Sequence, residues 1–391
     1  MCVSVSPSSF SRAAFLGAGA VAALPLFAEP ARALDAMQKL SAGGALPAVP
    51  AGLAPANERA AYLAYGSPYL AAQYHATEGL AKSIGDAKMR AAALAIIGDP
   101  TPRYARRYPT AESRVALRDA MARAGYVKAS DPVEGIFPRG TEKRGIVQPF
   151  WSTPGSAADS HHAYPGGLMV HELFNATMAE RFEQTYDGIY FGGRSKVDRD
   201  AVILAALYHD AMKTVVFQYN DDGTFTEELN IGDTGGHHVL SGAEAIVRGH
   251  DARFVTALLS AHAAPSLGDE KNVATWCAAA AMVAGVDPFA FGLLRRDASG
   301  DAVLASLPPI EAFVNFLSDH DWVLSVHAAH AVRPHLDALA PKHGVRAGDA
   351  AALAWWRLGV TAKVPTIALY HELTVGESAF AAAVARSEIM A

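Results

Sequence analysis

Val202-Ile-Leu-Ala-Ala-Leu-Tyr-His-Asp210 runs apolar for seven residues and then turns polar twice in succession. A helix so uniformly apolar is expected to be buried on most sides. His209 and Asp210 therefore arrive at the end of a core helix, where an unpaired carboxylate would cost several kcal/mol. Lys213, one turn further on, can supply a counter-charge. A metal ion is the stronger answer, because adjacent imidazole and carboxylate groups are natural ligands for one.

Working outward, other polar residues fall in phase with apolar ones. His171 shares a helical face with Leu168, Phe174 and Met178, in a helix expected to begin near Pro165. His262 follows Val255, Leu258 and Leu259 at helical spacing, and Asp287 continues the face of Val273, Trp276, Ala280 and Ala284. His238 shares a face with Gly242 and Ala245, small residues that let helices approach closely. One histidine on an inward face is ordinarily a satisfied core residue. Several such residues, together with His209-Asp210, point to a shared metal site.

His171, His209-Asp210 and Asp287, set in Tyr164-Pro-Gly-Gly-Leu-Met-Val-His171, Leu207-Tyr-His-Asp-Ala-Met-Lys213 and His238-Val-Leu-Ser-Gly-Ala243, resemble the H…HD…D pattern of the HD-domain superfamily of metal-dependent phosphohydrolases. The likeness covers roughly residues 160–290. It implies an all-α, HD-type helical bundle in which His171, His209, Asp210 and Asp287 hold one metal. His238 and His262 match the additional histidines of binuclear members, with Asp210 bridging two divalent ions (iron, manganese, zinc or similar). His238 is preferred to His237 because the family histidine stands four residues before a Gly-Ala pair, here Gly242-Ala243; His237 is then an outer or surface residue. Asp210 and Lys213 are the implied catalytic pair, with Lys213 contacting a small anionic substrate. The implied reaction is hydrolysis of a phosphate ester by a metal-activated water. HD-fold di-iron oxygenases, such as the myo-inositol oxygenase family, use the same six ligands. A non-catalytic metal-binding domain is the third reading.

Other features carry less. His161 and His162 read equally as pocket lining or a solvated loop pair. Pro165-Gly166-Gly167 reads equally as a phosphate-binding helix start or a plain one. Asp319-His320-Asp321-Trp322 with His327, His330 and His335 is a possible second metal site, weighed against an ordinary amphipathic helix.

The remaining chain frames this segment. Of 391 residues 51% are apolar and 18% charged, and the net charge of -6 offers nothing to nucleic acid. Arg12, the apolar run Phe15–Phe27 and Ala31-Arg32-Ala33 read as an export signal over 1–33, with a retained N-terminal anchor as the alternative. Ser11-Arg12-Ala13-Ala14-Phe15-Leu16 resembles a twin-arginine motif with Ala13 in place of the second arginine, which leaves the export route open. The expected location is periplasmic or extracellular, with no integral membrane segment after signal removal. Removing residues 1–33 takes Cys2 and leaves Cys277, in an apolar run, as a buried small hydrophobe without a disulfide partner. A helical N-terminal region with an irregular connector is expected over 34–160, the metal-binding domain over 161–290 and a helical extension over 291–391. Expected helices are Glu58–Leu70, Tyr74–Ile97, Glu112–Tyr126, Glu311–Leu339, Ala350–Thr361 and Ser378–Ser387. Asn220-Asp-Asp-Gly223 between two β-rich runs predicts a small hairpin over 215–228 near the site.

Overall fold

The computed structural model describes residues 44–139, 147–158, 160–266 and 268–389; the export segment expected at 1–33 lies outside them. The chain is mainly helical, with two small two-stranded antiparallel sheets. In the N-terminal region α1 spans Pro55–Tyr65, α2 Pro68–Lys82, α3 Ala87–Gly98 and α4 Ala111–Arg123. The breaks differ from the expected ones for local reasons. Ser67 caps α2 by accepting from the Leu70 amide, with Pro68 at the first helical position, and Asp86 caps α3 through the Met89 amide.

The central helices are α5 (Gly167–Tyr190), α6 (Arg199–Tyr208), the single turn α7 (Lys213–Val216), α8 (Gly236–Val247), α9 (Ala252–Leu259) and α10 (Glu270–Ala284). Beyond them lie α11 (Ile310–Ser318), α12 (Trp322–Leu339), α13 (Ala350–Lys363), α14 (Thr366–Val375) and α15 (Glu377–Ile389). The segment expected as one helix from Glu311 to Leu339 is thus two, interrupted at Asp319-His320-Asp321. Among the described residues no helix is long and apolar enough to cross a membrane.

α6 is buried along Val202–Tyr208, as its sequence demands. It lies against α5, α3, α9 and α11, while α8 packs on α10 and α9. One continuous apolar core reaches from Leu46 to Ala362, so the N-terminal helices pack directly onto the central bundle. A smaller cluster of Leu336, Val360, Leu369, Phe380 and Val384 holds the C-terminal helices together. Cys277 is fully buried, and burial pushes its thiol up to about 12, too high for a nucleophile.

The hairpin survives only in part. Tyr219 and Phe225 form an antiparallel bridge around the Asn220–Gly223 turn, but Val215 and Val216 belong to α7. The turn anchors α13: the Tyr219 ring stacks on Trp355 at 6.0 Å, and Trp355 Nε1 donates to the Asp221 carbonyl at 2.8 Å. The sheets are β1 (Asn230–Ile231) with β2 (Thr234–Gly235), and β3 (Leu294–Arg296) with β4 (Ala302–Leu304).

His250, between α8 and α9, stacks on Phe254 at 4.5 Å and meets the edge of Tyr208. Burial, reinforced by the Lys88 ammonium, pulls its pKa down to about 4. An unfolded histidine titrates near 6.5, so the unfolded chain binds the extra proton between those values. The stability contributed by neutral His250 is complete above pH ~6.5 and is lost as pH falls toward ~4. His250→Phe should therefore reduce the acid destabilisation over that window by about 2–3 kcal/mol, measured as the difference between variant and parent urea midpoints. Parallel curves for the two proteins would mean that His250 titrates normally in the folded state.

Candidate metal centre

The centre forms where helix ends converge. His171 and Glu172 lie in the second turn of α5, and His209 is the residue that ends α6, with Asp210 in the turn after it. His237 opens α8, His262 lies in the turn beyond α9, and Asp319 ends α11. Helix ends leave backbone groups unpaired and let side chains depart from helical phase, which suits a site drawn from many elements.

Asp210 is the hub. Its Oδ2 lies 3.4 Å from His171 Nε2 and 3.5 Å from His209 Nε2, and it pairs with the Lys213 ammonium. Its Oδ1 lies 2.9 Å from His237 Nε2 and 3.6 Å from His262 Nε2. Asp319 closes the other side: Oδ1 is 3.1 Å from His171 Nε2 and 3.4 Å from His209 Nε2, and Oδ2 is 3.8 Å from His262 Nε2. Within each of the trios His171–His209–Asp210, His209–His262–Asp319 and Asp210–His237–His262, the ligand atoms all lie within 4.8 Å of one another.

The outer partners fix the tautomers. His209 Nδ1 donates to the Ala206 carbonyl at 2.8 Å, His171 Nδ1 to Asp321 Oδ1 at 3.0 Å, and His237 Nδ1 to Glu228. In each neutral ring the Nε2 lone pair then faces carboxylate oxygens. Nε2 of His209 and of His237 and both oxygens of Asp210 are buried without a hydrogen bond of acceptable geometry. Lone pairs converging on carboxylates repel unless protons or cations lie between them.

The charges agree. Burial alone would depress the imidazoles, but the surrounding carboxylates reverse this, holding His171 and His209 well above the ordinary histidine range and His237 above it. Burial would raise the carboxyls, yet the imidazoles, with Lys213 acting on Asp210, hold Asp210 and Asp319 well below their usual range. Asp321 and Glu228 are also held down. These four carboxylates meet one buried ammonium, Lys213. The cluster demands positive charge, and this donor set fits divalent ions.

The sequence-based ligand set is met unevenly. The structure brings together His171, His209, Asp210, His262 and Lys213. It does not bring Asp287, which is exposed and uses its carboxylate on the Phe289 and Ala290 amides. The α10 phase that suggested Asp287 ends at Ala284, where Gly285 turns left-handed at φ 67°. Asp319 lies against the cluster's imidazoles instead. His238 is likewise displaced by its neighbour: its Nε2 donates to the Leu259 carbonyl at 3.0 Å, and its ring stacks on His262 at 4.0 Å. Successive helical residues point about 100° apart, so His237 and His238 cannot both face the centre. The small face His238 shares is the one packed against α9, where a Cβ on Gly242 would meet Leu259 at 2.8 Å.

Asp319 and Asp321 belong to this same centre, not to a second one. His327 instead bonds Tyr370 and His335 faces Glu377. Two amides at the glycine-rich start of α5 are already used: that of Gly167 donates to the Tyr164 carbonyl and that of Leu168 to the Thr153 carbonyl. Its glycines serve close packing: a Cβ on Gly167 would lie 1.8 Å from the His162 carbonyl. Glu172, Asn175 and Glu228 carry no signal of the site in the sequence.

Fold and centre together describe a helical protein with a buried His/Asp cluster that could hold metal ions. No family model and no solved structure matches the chain. A stretch of 65 residues is 35% identical to dihydroneopterin 2′,3′-cyclic phosphate phosphodiesterase of Methanocaldococcus jannaschii, covering 17% of this chain and 25% of that relative. The match thus spans a quarter of the relative's length.

Proposed function

We propose that the chain is an exported metal-dependent phosphohydrolase of the HD type, acting on a phosphate ester. The observation that carries the reading is the division of Asp210, whose two oxygens face separate groups of imidazoles. His171, His209, Asp210 and Asp319 would hold one divalent ion, and Asp210, His237 and His262 a second. Ions held there supply Lewis acidity that neutralises phosphoryl oxygens and lowers the pKa of water toward ~7. The short stretch shared with a cyclic phosphate phosphodiesterase supports the same reaction class.

The chain's own groups then have defined tasks. Ala206, Asp321 and Glu228 orient three imidazoles through their Nδ1 protons. Lys213 is 2% exposed, donates to the Gly155 carbonyl at 2.5 Å and pairs with Asp210. An ammonium has three protons, so a third remains for a phosphoryl oxygen. In so buried a setting that contact is worth more than in water.

The test is hydrolysis of bis(4-nitrophenyl) phosphate and of a 2′,3′-cyclic phosphate by the chain loaded with manganese, iron or zinc. The expected result is turnover that a chelator abolishes. Two bound ions with no turnover of either ester, and oxygen consumption with a polyol, would overturn the assignment in favour of an oxygenase. Lys213→Met should retain the ions while kcat/KM on anionic esters falls by about 10²-fold. Unchanged kinetics would remove Lys213 from the substrate's surroundings.

A further inference from the structure

We infer that Asp321 and His162 are positioning residues that hold His171 as a metal ligand and so set the occupancy of one half of the centre. The inference rests on the reading of the cluster as a metal centre.

Asp321 immediately precedes α12, where an aspartate ordinarily caps the helix by accepting from its first amides. Its side chain makes no such bond. Both oxygens are used elsewhere: Oδ1 lies 3.0 Å from His171 Nδ1, and Oδ2 lies 2.8 Å from His162 Nε2. The three side chains are 6%, 1% and 3% exposed, so the link is shielded from water.

With a cation at the centre the proton roles are set. An ionised carboxylate only accepts, so both facing nitrogens are N–H donors. His162 Nδ1, 3.1 Å from the Tyr164 hydroxyl, is then the acceptor of that hydroxyl's proton. His171, with its proton on Nδ1, presents the Nε2 lone pair toward Asp210 and Asp319. Asn175 Nδ2, 3.1 Å from that same Nε2, is a donor and agrees. The chain Tyr164–His162–Asp321–His171 thus has one direction and ends on a lone pair in the centre.

His162 is held for this task at some conformational expense. Its φ is +51°, and among the described residues only Asp233 shares a left-handed backbone without being glycine. Its carbonyl accepts from the Gly155 amide at 2.9 Å, and the Gly155 carbonyl in turn accepts from Lys213. The loop therefore ties Asp321 and Lys213 to one piece of backbone. His161, His162 and His171 also approach one another as a metal-like trio. They do not form a third ion site, because both nitrogens of His162 and Nδ1 of His171 are already committed.

The experiment is Zn²⁺ titration against a chromophoric chelator, repeated with Co²⁺ for its ligand-field spectrum, on the parent chain, Asp321→Ala, Asp321→Asn and His162→Asn. Asparagine tolerates the left-handed backbone but is too short to reach Asp321. The expected result is that Asp321→Ala weakens one of two ions by about 10- to 100-fold and leaves the other unchanged. Asp321→Asn should recover part of the loss, since its amide oxygen still accepts from His171 Nδ1, and His162→Asn should shift the same ion by less. Unfolding midpoints in chelator show whether each variant folds; should Asp321→Ala fail to, the two asparagine variants carry the comparison. A parent with two ions beside variants of unaltered affinity overturns this inference alone. A parent that takes up no ion overturns the metal reading and this inference with it.

Discussion

Asp210→Ala is expected to release both ions from the protein and to lower phosphoesterase activity by at least about 10³-fold, while helix content stays at the parental level. The expectation follows from the position of one carboxylate between two groups of imidazoles. His262 also lies close to both groups, but Asp210 offers a separate oxygen to each. On the proposed assignment its loss removes a shared ligand from each half, whereas loss of His171 or His237 removes a ligand from one. Metal analysis and circular dichroism on the same preparation decide the matter. Full metal occupancy in the variant would show that Asp210 is only the counter-ion of Lys213.

The second large effect separates two aspartates that the sequence could not. Asp319→Ala should cost an ion and more than about 10² in kcat/KM, because its oxygens stand 3.1–3.8 Å from three of the imidazoles. Asp287→Ala should leave metal content and activity at parental levels. It removes only the exposed carboxylate that accepts two amides in the turn after α10, a stability loss of about 1 kcal/mol. Parallel metal content and kinetics of the two variants test the assignment; the reverse ordering would restore Asp287 and remove Asp319.

The helical class, the buried α6 and the meeting of His171 with His209-Asp210 were legible, because hydrophobic period and the cost of a buried carboxylate act locally. Asp287 was misplaced because helical phase says nothing beyond the helix, and Gly285 ends α10 before the phase reaches it. His238 was preferred on spacing to Gly242-Ala243, yet those small residues mark the face packed against α9. Read physically, that clue favours His237.

Asp319 and Asp321 are visible in the sequence as part of a cluster that reads either as a separate site or as an ordinary amphipathic helix. Their membership depends on α11 returning against α5 and α9, a tertiary contact with no local signature. The absence of a cap bond at Asp321 is likewise seen only in three dimensions. Glu172 was hidden because a glutamate inside a helix ordinarily faces water; here it is fully buried, 3.3 Å from His209 Nδ1.

The measurement closest to the central claim is the metal content of the chain purified without added metal or chelator. The account predicts about two divalent ions per chain, in keeping with a bridging Asp210 and a ring of imidazoles whose Nε2 atoms converge on it. A chain that carries none, and takes up none from millimolar zinc, manganese or ferrous iron, would contradict it. The His/Asp cluster would then be a buried proton-sharing network.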